Sequence, residues 1–225
     1  MTIDAEKALA SAAAVAEVRG GMLVGLGTGS TATHAIRLLG ERVAAGLSVR
    51  AVATSAASEA QARALGIAML DFADVPRIDL TIDGADEIDA RLYAIKGAGG
   101  AMLREKVVAA ASDRMVVIAD ATKRVAAIGA GVVPVEILPF ARASLMTALG
   151  EGAALRLRDG DPYVTDNGNW IADCRFDLED PVKTATSLNG IPGMLGHGLF
   201  LCEVDAVYIA EGTIVSRLER DASSR

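Results

Sequence analysis

Met22-Leu23-Val24-Gly25-Leu26-Gly27-Thr28-Gly29-Ser30-Thr31 runs from an apolar strand through a glycine-rich turn into the start of a helix. The apolar residues predict a strand over 22–26, and the periodicity that follows predicts a helix from Thr31 to about Ala45. The same grammar returns twice. Leu80-Thr81-Ile82 leads into Asp83-Gly84-Ala85-Asp86-Glu87, and the run 92–95 leads into Lys96-Gly97-Ala98-Gly99-Gly100-Ala101-Met102-Leu103-Arg104-Glu105. In an open α/β sheet, loops leaving the carboxyl ends of strands converge on one crevice, and ligands bind there. One pocket is therefore expected to receive a backbone cradle, two or three carboxylates, a lysine and a further glutamate. Such a set suits proton transfer on a small phosphorylated molecule.

Working outward, strand and helix signals alternate through the first 130 residues. Helices are predicted at 4–19, 31–45, 58–65 and 100–112, and strands at 22–26, 48–53, 67–70, 78–82, 92–96 and 115–120. This alternation implies an α/β, Rossmann-like, largely parallel sheet. The pattern changes after Gly131. Strands at 132–137 and 154–158 flank a helix at 140–149, and Asp166-Asn167-Gly168-Asn169 signals a hairpin between 163–165 and 170–174. A helix at 181–188 and a strand at 196–201 complete a small α+β unit of the ferredoxin-like, split-βαβ type. Strands at 206–209 and 213–218 return to the first sheet. The expected organisation is a catalytic domain of residues 1–130 plus 206–225, with a small α+β domain, 131–205, inserted near the C-terminus.

Composition narrows the class. The 225 residues are 52% hydrophobic, yet no apolar run approaches the roughly 18 residues needed to span a bilayer. Residues 8–16 faintly resemble a signal-peptide core, but Asp4 and Glu6 precede them and a first helix is the better reading. A net charge of −7 argues against nucleic acid as partner. Cys174 and Cys202 show no metal-like spacing and read as free, buried thiols, and His34 and His197 are isolated, with His34 on a helix surface. No zinc or iron site can be built from this inventory. A soluble, cytoplasmic enzyme is expected.

In so acidic a chain the five lysines, set against seventeen arginines, are informative. Anion binding needs a local concentration of positive charge, for which Lys96, Lys123 and Lys7 are the natural candidates, each weighed against a plain solvated lysine. The first loop is GxGxG, not the dinucleotide GxGxxG, because Ser30 stands where the third glycine belongs. No acid follows the second strand, at Thr54-Ser55, to hold a ribose hydroxyl. Backbone N–H groups and the hydroxyls of Thr28, Ser30 and Thr31 at a helix N-terminus remain as an anion cradle, or as a merely structural tight turn. Asp83 and Asp86 could ligate a metal, hold sugar hydroxyls or exchange protons, though a metal usually needs more oxygen ligands. Glu105 is either a functional carboxylate or a first-turn glutamate complementing the helix dipole.

The three motifs, in order and spacing, resemble ribose-5-phosphate isomerase of the A type. The likeness extends through Ile118-Ala119-Asp120-Ala121-Thr122-Lys123, Pro134-Val135-Glu136, Val164-Thr165-Asp166-Asn167-Gly168-Asn169 and Ile191-Pro192-Gly193, nearly the whole chain. It implies an aldose–ketose isomerase that interconverts ribose 5-phosphate and ribulose 5-phosphate through a cis-enediolate, in the non-oxidative pentose phosphate pathway. It also implies a sugar-phosphate pocket made from Thr28, Gly29, Ser30 and Thr31, with substrate contacts from Asp83, Gly84, Ala85, Asp86, Lys96, Gly97, Ala98 and Gly99. Glu105 would be the base, Asp83 and Lys96 its catalytic companions, Lys123 a further contact and Lys7 a phosphate neighbour. Ala98 departs from a glycine that the family often carries there. The resemblance implies no cofactor and no metal, and a homodimer or tetramer. A related sugar-phosphate isomerase/deaminase and a non-catalytic sugar-phosphate sensor are the rivals. A sensor would be expected to lose the base, and here Glu105 is present.

Overall fold

A computed structural model describes residues 1–221. The chain opens with α1 (Ile3–Val15), capped by the Thr2 hydroxyl, which accepts from the Ala5 N–H at 3.2 Å. The helix stops short of the expected residue 19. The N–H groups of Glu17 and Val18 bond three residues back, and the Arg42 guanidinium caps the Val15 and Val18 carbonyls. Then come β1 (Leu23–Leu26), α2 (Ser30–Ala44), β2 (Arg50–Ala53), α3 (Ala56–Ala64), β3 (Ala68–Met69) and β4 (Leu80–Gly84). β5 (Glu87–Ile88), β6 (Ala94–Ile95), α4 (Met102–Ala110) and β7 (Met115–Asp120) follow.

The second half folds as β8 (Val133–Ile137), α5 (Arg142–Leu149), β9 (Ala153–Leu155), β10 (Leu157–Arg158), β11 (Asp161–Pro162), β12 (Trp170–Cys174), α6 (Pro181–Asn189), β13 (Met194–His197) and β14 (Leu199–Phe200). Strands β8, β9, β12 and β13 form one antiparallel sheet in the order β13-β8-β12-β9, with α5 and α6 as its crossovers. This is the ferredoxin-like arrangement. Last come β15 (Ala206–Glu211) and β16 (Ile214–Glu219). Residues 222–225 of the expected segment 206–225 lie outside the described residues.

The large sheet runs β16-β15-β7-β4-β1-β2-β3, parallel throughout except for the β15–β16 hairpin. β1 and β7 are buried along their whole length, as strands covered on both faces must be. On one face Ala10, Ala14, Ala35, Ile36 and Leu39 of α1 and α2 pack against Val24, Leu80 and Ile82. The chain leaves β1 toward β2 and β3 on one side, then re-enters as β4 on the other. The crevice of this α/β sheet therefore opens at the carboxyl ends of β1 and β4.

Five expectations need correction. β6 does not join the parallel sheet; it pairs antiparallel with β5 and β14 in a three-stranded sheet. The chain between β4 and β6 is too short for the parallel crossover of about a dozen or more residues. The strand expected at 196–201 splits into β13 and β14, which belong to different sheets, around Gly198. Gly198 donates to the Pro134 carbonyl at 2.7 Å and accepts from the Lys96 N–H at 2.9 Å, stitching the two sheets together. The strand expected at 154–158 breaks into β9 and β10, and residues 163–165 make one bridge only, Val164 with Trp170. Cys174 is buried as expected, whereas Cys202 lies exposed in the turn between β14 and β15. His34 sits on α2 with Nε2 2.9 Å from Asp4 Oδ1. Among the described residues no helix is long and apolar enough to cross a membrane.

Candidate active site

The turn after β1 has little freedom to vary. A Cβ at Gly27 would lie 2.0 Å from Asp83 Oδ1, so only glycine lets the β1 and β4 loops touch. The Thr28 N–H donates to the same Asp83 oxygen at 3.1 Å. Gly29, at φ +101°, starts α2 without any side-chain cap, which leaves first-turn N–H groups for a ligand. Ser30 is exposed, and its Oγ accepts from Lys7 Nζ at 2.8 Å, so the helix start carries a lysine. Thr28 Oγ1 lies 2.7 Å from Thr54 Oγ1 at the end of β2. Lys123, in the turn after β7, lines the same cleft.

The other end of the cleft is built from buried charge. Lys96 emerges from β6 with only 2% of its surface exposed. Its Nζ stands 2.9 Å from Asp83 Oδ2 and 3.3 Å from Glu105 Oε2, and it donates to the Gly84 carbonyl. Burial would pull the lysine's pKa down, but the carboxylates of Asp83 and Glu105 outweigh it and hold the value above normal. Asp83 is fully buried; Thr28 and Gly84 donate to Oδ1, and Lys96 faces Oδ2. Two carboxyls share one ammonium here, so local neutrality needs one of them protonated. Burial raises the pKa of Asp83 as well, but the aspartate has the two backbone donors and the shorter ion pair, which favour its charged form. Glu105, in the first turn of α4, takes the proton: burial first, then the nearby Asp83 charge, pushes its pKa up to about 8 against the pull of Lys96.

Loop 97–100 closes the cleft over this cluster. Gly97 at φ +109° leaves no room for a side chain, since a Cβ there would lie 2.7 Å from Met102 Cβ. The Ala98 N–H donates to Asp86 Oδ2 at 2.9 Å, fastening the loop to the segment after β4.

The resulting cleft has a volume of about 260 Å³. Lys7, Thr28, Gly29, Ser30, Thr31, Gly84, Ala85, Asp86, Lys96, Gly97, Ala98, Gly99, Glu105 and Lys123 all line it. Asp83 lies behind this wall. Its oxygens are taken by Lys96 and two peptide N–H groups, so the direct substrate contact expected of it has no open face.

A family model described as ribose 5-phosphate isomerase A (phosphoriboisomerase A) matches residues 50–213. The chain belongs to the ribose 5-phosphate isomerase A family. It is 51% identical over 216 residues to ribose-5-phosphate isomerase A of Sphingopyxis alaskensis, covering 94% of each chain. The Rhodopseudomonas palustris protein of the same name is 48% identical over 225 residues, covering 95% of this chain and 97% of its own. Among solved structures, a D-ribose-5-phosphate isomerase in complex with phospho-erythronic acid superposes with a TM-score of 0.94 at 34% identity, over 98% of this chain and all (100%) of that one. The Methanocaldococcus jannaschii ribose 5-phosphate isomerase A has a TM-score of 0.93 at 34% identity, over 97% of this chain and 100% of its own.

Several residues around this cleft receive no site role from the sequence alone. Thr54 braces Thr28, Tyr163 Oη donates to the Gly99 carbonyl at 3.3 Å, and Arg156 donates to two carbonyls of loop 97–100. Glu136 is buried in β8, where Oε1 accepts from Thr165, Asn167 and Asn169 at 2.9–3.0 Å. That bonding orders the turn whose Asp166 caps α3 through the Ala56 N–H at 2.8 Å.

Proposed function

We propose that this isomerase interconverts ribose 5-phosphate and ribulose 5-phosphate, with Glu105 as the base that moves the C2 proton. The observation that carries the assignment is Glu105 buried beside Lys96 with a pKa near 8. A carboxyl of ordinary pKa, about 4.3, is a weak base at neutral pH; one raised toward the working pH is matched to proton abstraction.

The substrate's phosphate sits on the α2 N-terminus, at Gly29, Ser30 and Thr31, with the Lys7 charge beside it. Lys123 supplies a second cation across the cleft. Asp86 and the segment of Gly84 and Ala85 hold sugar hydroxyls. Once the ring is open, the Glu105 carboxylate takes the proton from C2 and the C1 carbonyl oxygen gains negative charge. Lys96 and the N–H groups of Gly97 and Gly99 stabilise that oxyanion. The O2 proton passes to O1 within the cis-enediolate, Lys96 serving as the relay, and Glu105 returns its proton to C1. The aldehyde is thereby reduced at C1 and the alcohol oxidised at C2, with no net gain or loss of electrons. Asp83 contributes through Lys96, keeping the ammonium charged and aimed.

Formation of ribulose 5-phosphate from ribose 5-phosphate deuterated at C2, followed with and without EDTA, tests this reading. Turnover with release of label to water, unaffected by the chelator, is expected; Lys96 Nζ already occupies the space between Asp83 and Glu105 where a cation would sit. Absence of turnover, or loss of activity that Mg²⁺ restores, would overturn it.

We place the enzyme in the cytoplasm, where free thiols such as Cys174 and Cys202 stay reduced. A homodimer is the proposed assembly. The exposed apolar side chains lie close to the β13-β8-β12 part of the small sheet: Leu138 follows β8, Val164 bridges to Trp170 of β12, Leu195 sits at the β13 bulge, and Phe140 lies just beyond β8. Light scattering that finds a monomer would remove it.

A further inference from the structure

Gly97, Ala98 and Gly99 line the cleft, yet their carbonyls are gripped from elsewhere in the chain. Arg156 stands between β9 and β10, at the edge of the ferredoxin-like unit. Its Nη1 donates to the Gly97 carbonyl at 3.0 Å and to the Ala98 carbonyl at 3.1 Å. The rest of the guanidinium faces Asp173 on β12: Nε donates to Oδ2 at 2.8 Å and Nη2 to Oδ1 at 2.5 Å. This is the two-pronged geometry that only arginine offers a carboxylate. The side chain is 14% exposed, so water competes little for these bonds.

The consequence follows from what the loop is. Gly97, Gly99 and Gly100 have no side chains to pack, and glycine backbone loses the most freedom on ordering. Something outside the loop must hold it. A carbonyl that accepts from a cation is polarised, and the N–H of the same peptide becomes a better donor. The Gly97 carbonyl shares its peptide with the Ala98 N–H, and the Ala98 carbonyl shares its peptide with the Gly99 N–H. Arg156 therefore strengthens the Ala98 N–H bond to Asp86 that fastens the loop, and makes the Gly99 N–H a better donor toward the cleft.

We propose that Arg156, clamped by Asp173, is a positioning residue for the isomerisation, holding loop 97–100 and strengthening the Gly99 N–H toward the developing oxyanion. The proposal rests on the reading of that loop as an oxyanion contact. Neither Arg156 nor Asp173 lines the cleft, so neither is expected to touch the sugar.

Arg156→Met, Arg156→Lys and Asp173→Asn are to be assayed beside the wild type and Glu105→Gln, with circular dichroism to measure the folded fraction. A small displacement of a binding group costs on the order of 100-fold, so kcat per folded Arg156→Met enzyme should fall about 10- to 100-fold. KM should stay within about threefold, because the phosphate cradle is untouched. Arg156→Lys should recover part of the loss, since one ammonium cannot span Asp173 and both carbonyls. Asp173→Asn should fall between wild type and Arg156→Met. A folded Arg156→Met enzyme with kcat within about twofold of wild type would overturn the proposal. If that variant does not fold, unchanged kcat in both Arg156→Lys and Asp173→Asn would overturn it equally. An inactive wild type or an active Glu105→Gln would instead overturn the reading of the site. Active wild type and inactive Glu105→Gln beside an unaffected Arg156→Met would remove the role of Arg156 alone.

Discussion

The two ends of the cleft are built on opposite principles. At the end proposed for the phosphate Gly29 and Ser30 are exposed, the donors are backbone N–H groups, and the cations Lys7 and Lys123 are half in water. At the reacting end Asp83, Lys96 and Glu105 are 0%, 2% and 3% exposed, and two carboxyls crowd around one ammonium nitrogen. The first end suits a dianion at low cost, because an open helix start and solvated lysines need no rearrangement. The second spends stability on reactivity. A carboxyl taken out of water next to another carboxylate is an unfavourable arrangement, and that same environment raises its basicity. Binding and chemistry are thus separated in space, and substitutions should separate them too.

The largest expected effect is at Glu105. Glu105→Gln keeps the shape of the side chain and removes the base, so kcat should fall by about 10²–10⁴ while ribose 5-phosphate still binds. Steady-state kinetics with calorimetric binding check this. Near-normal turnover would show that the buried end is not where the proton moves.

The pH dependence of stability sharpens the same contrast. Glu105 has a folded pKa raised from 4.5 to about 8, so between those values the folded enzyme holds a proton that the unfolded chain has lost. Stability from this group is therefore present at low pH and is lost as pH rises through that window, at about 1.4 kcal/mol per pH unit. Glu105→Gln escapes this loss. Its thermal midpoint should match the wild type near pH 5 and exceed it near pH 8; parallel midpoints at both pH values would contradict the buried-base assignment. For the wild type, kcat/KM should climb with pH as Glu105 ionises and level off above about 8. A flat profile from pH 6 to 9 would count against it, in the range where an ordinary carboxylate, at about 4.3, is already ionised.

The smallest change in kcat is expected at the phosphate end. Ser30→Ala with Thr31→Ala should raise KM by about tenfold and alter kcat by less than about threefold, because those contacts are equal in ground and transition states. A large kcat loss at unchanged KM would mean that the cradle serves the reacting end and that the two ends are not separable.

The cradle was legible in the chain because its parts are contiguous: strand, glycine turn and helix start lie within 22–31 and need only local geometry. The alternation of β1 to β7 with helices was legible for the same reason, since fully buried strands read as unbroken apolar runs. The ferredoxin-like pattern also showed, through the Asn167-Gly168 turn and the periodicity around it. By contrast, the placing of β6 in a separate antiparallel sheet depended on how little chain lies between it and β4, and on the arrival of β14 from the far end of the sequence. Apolar pattern alone does not say which strand will be the neighbour.

The sequence by itself determined which carboxylates, lysines and glycines stand at the strand ends that open on the cleft, because those residue types are chemically distinct wherever they fall. Only the tertiary structure decided their states. Lys96 reaches Asp83 and Glu105 because β5 and β14 hold β6 across the mouth of the large sheet. Arg156 reaches loop 97–100 because Asp173 on β12 turns its guanidinium that way. Burial and charge proximity are properties of the folded chain, summed over segments far apart in sequence. A glutamate's pKa, an aspartate's lost access and an arginine's grip on a loop therefore arise only once those segments have packed together.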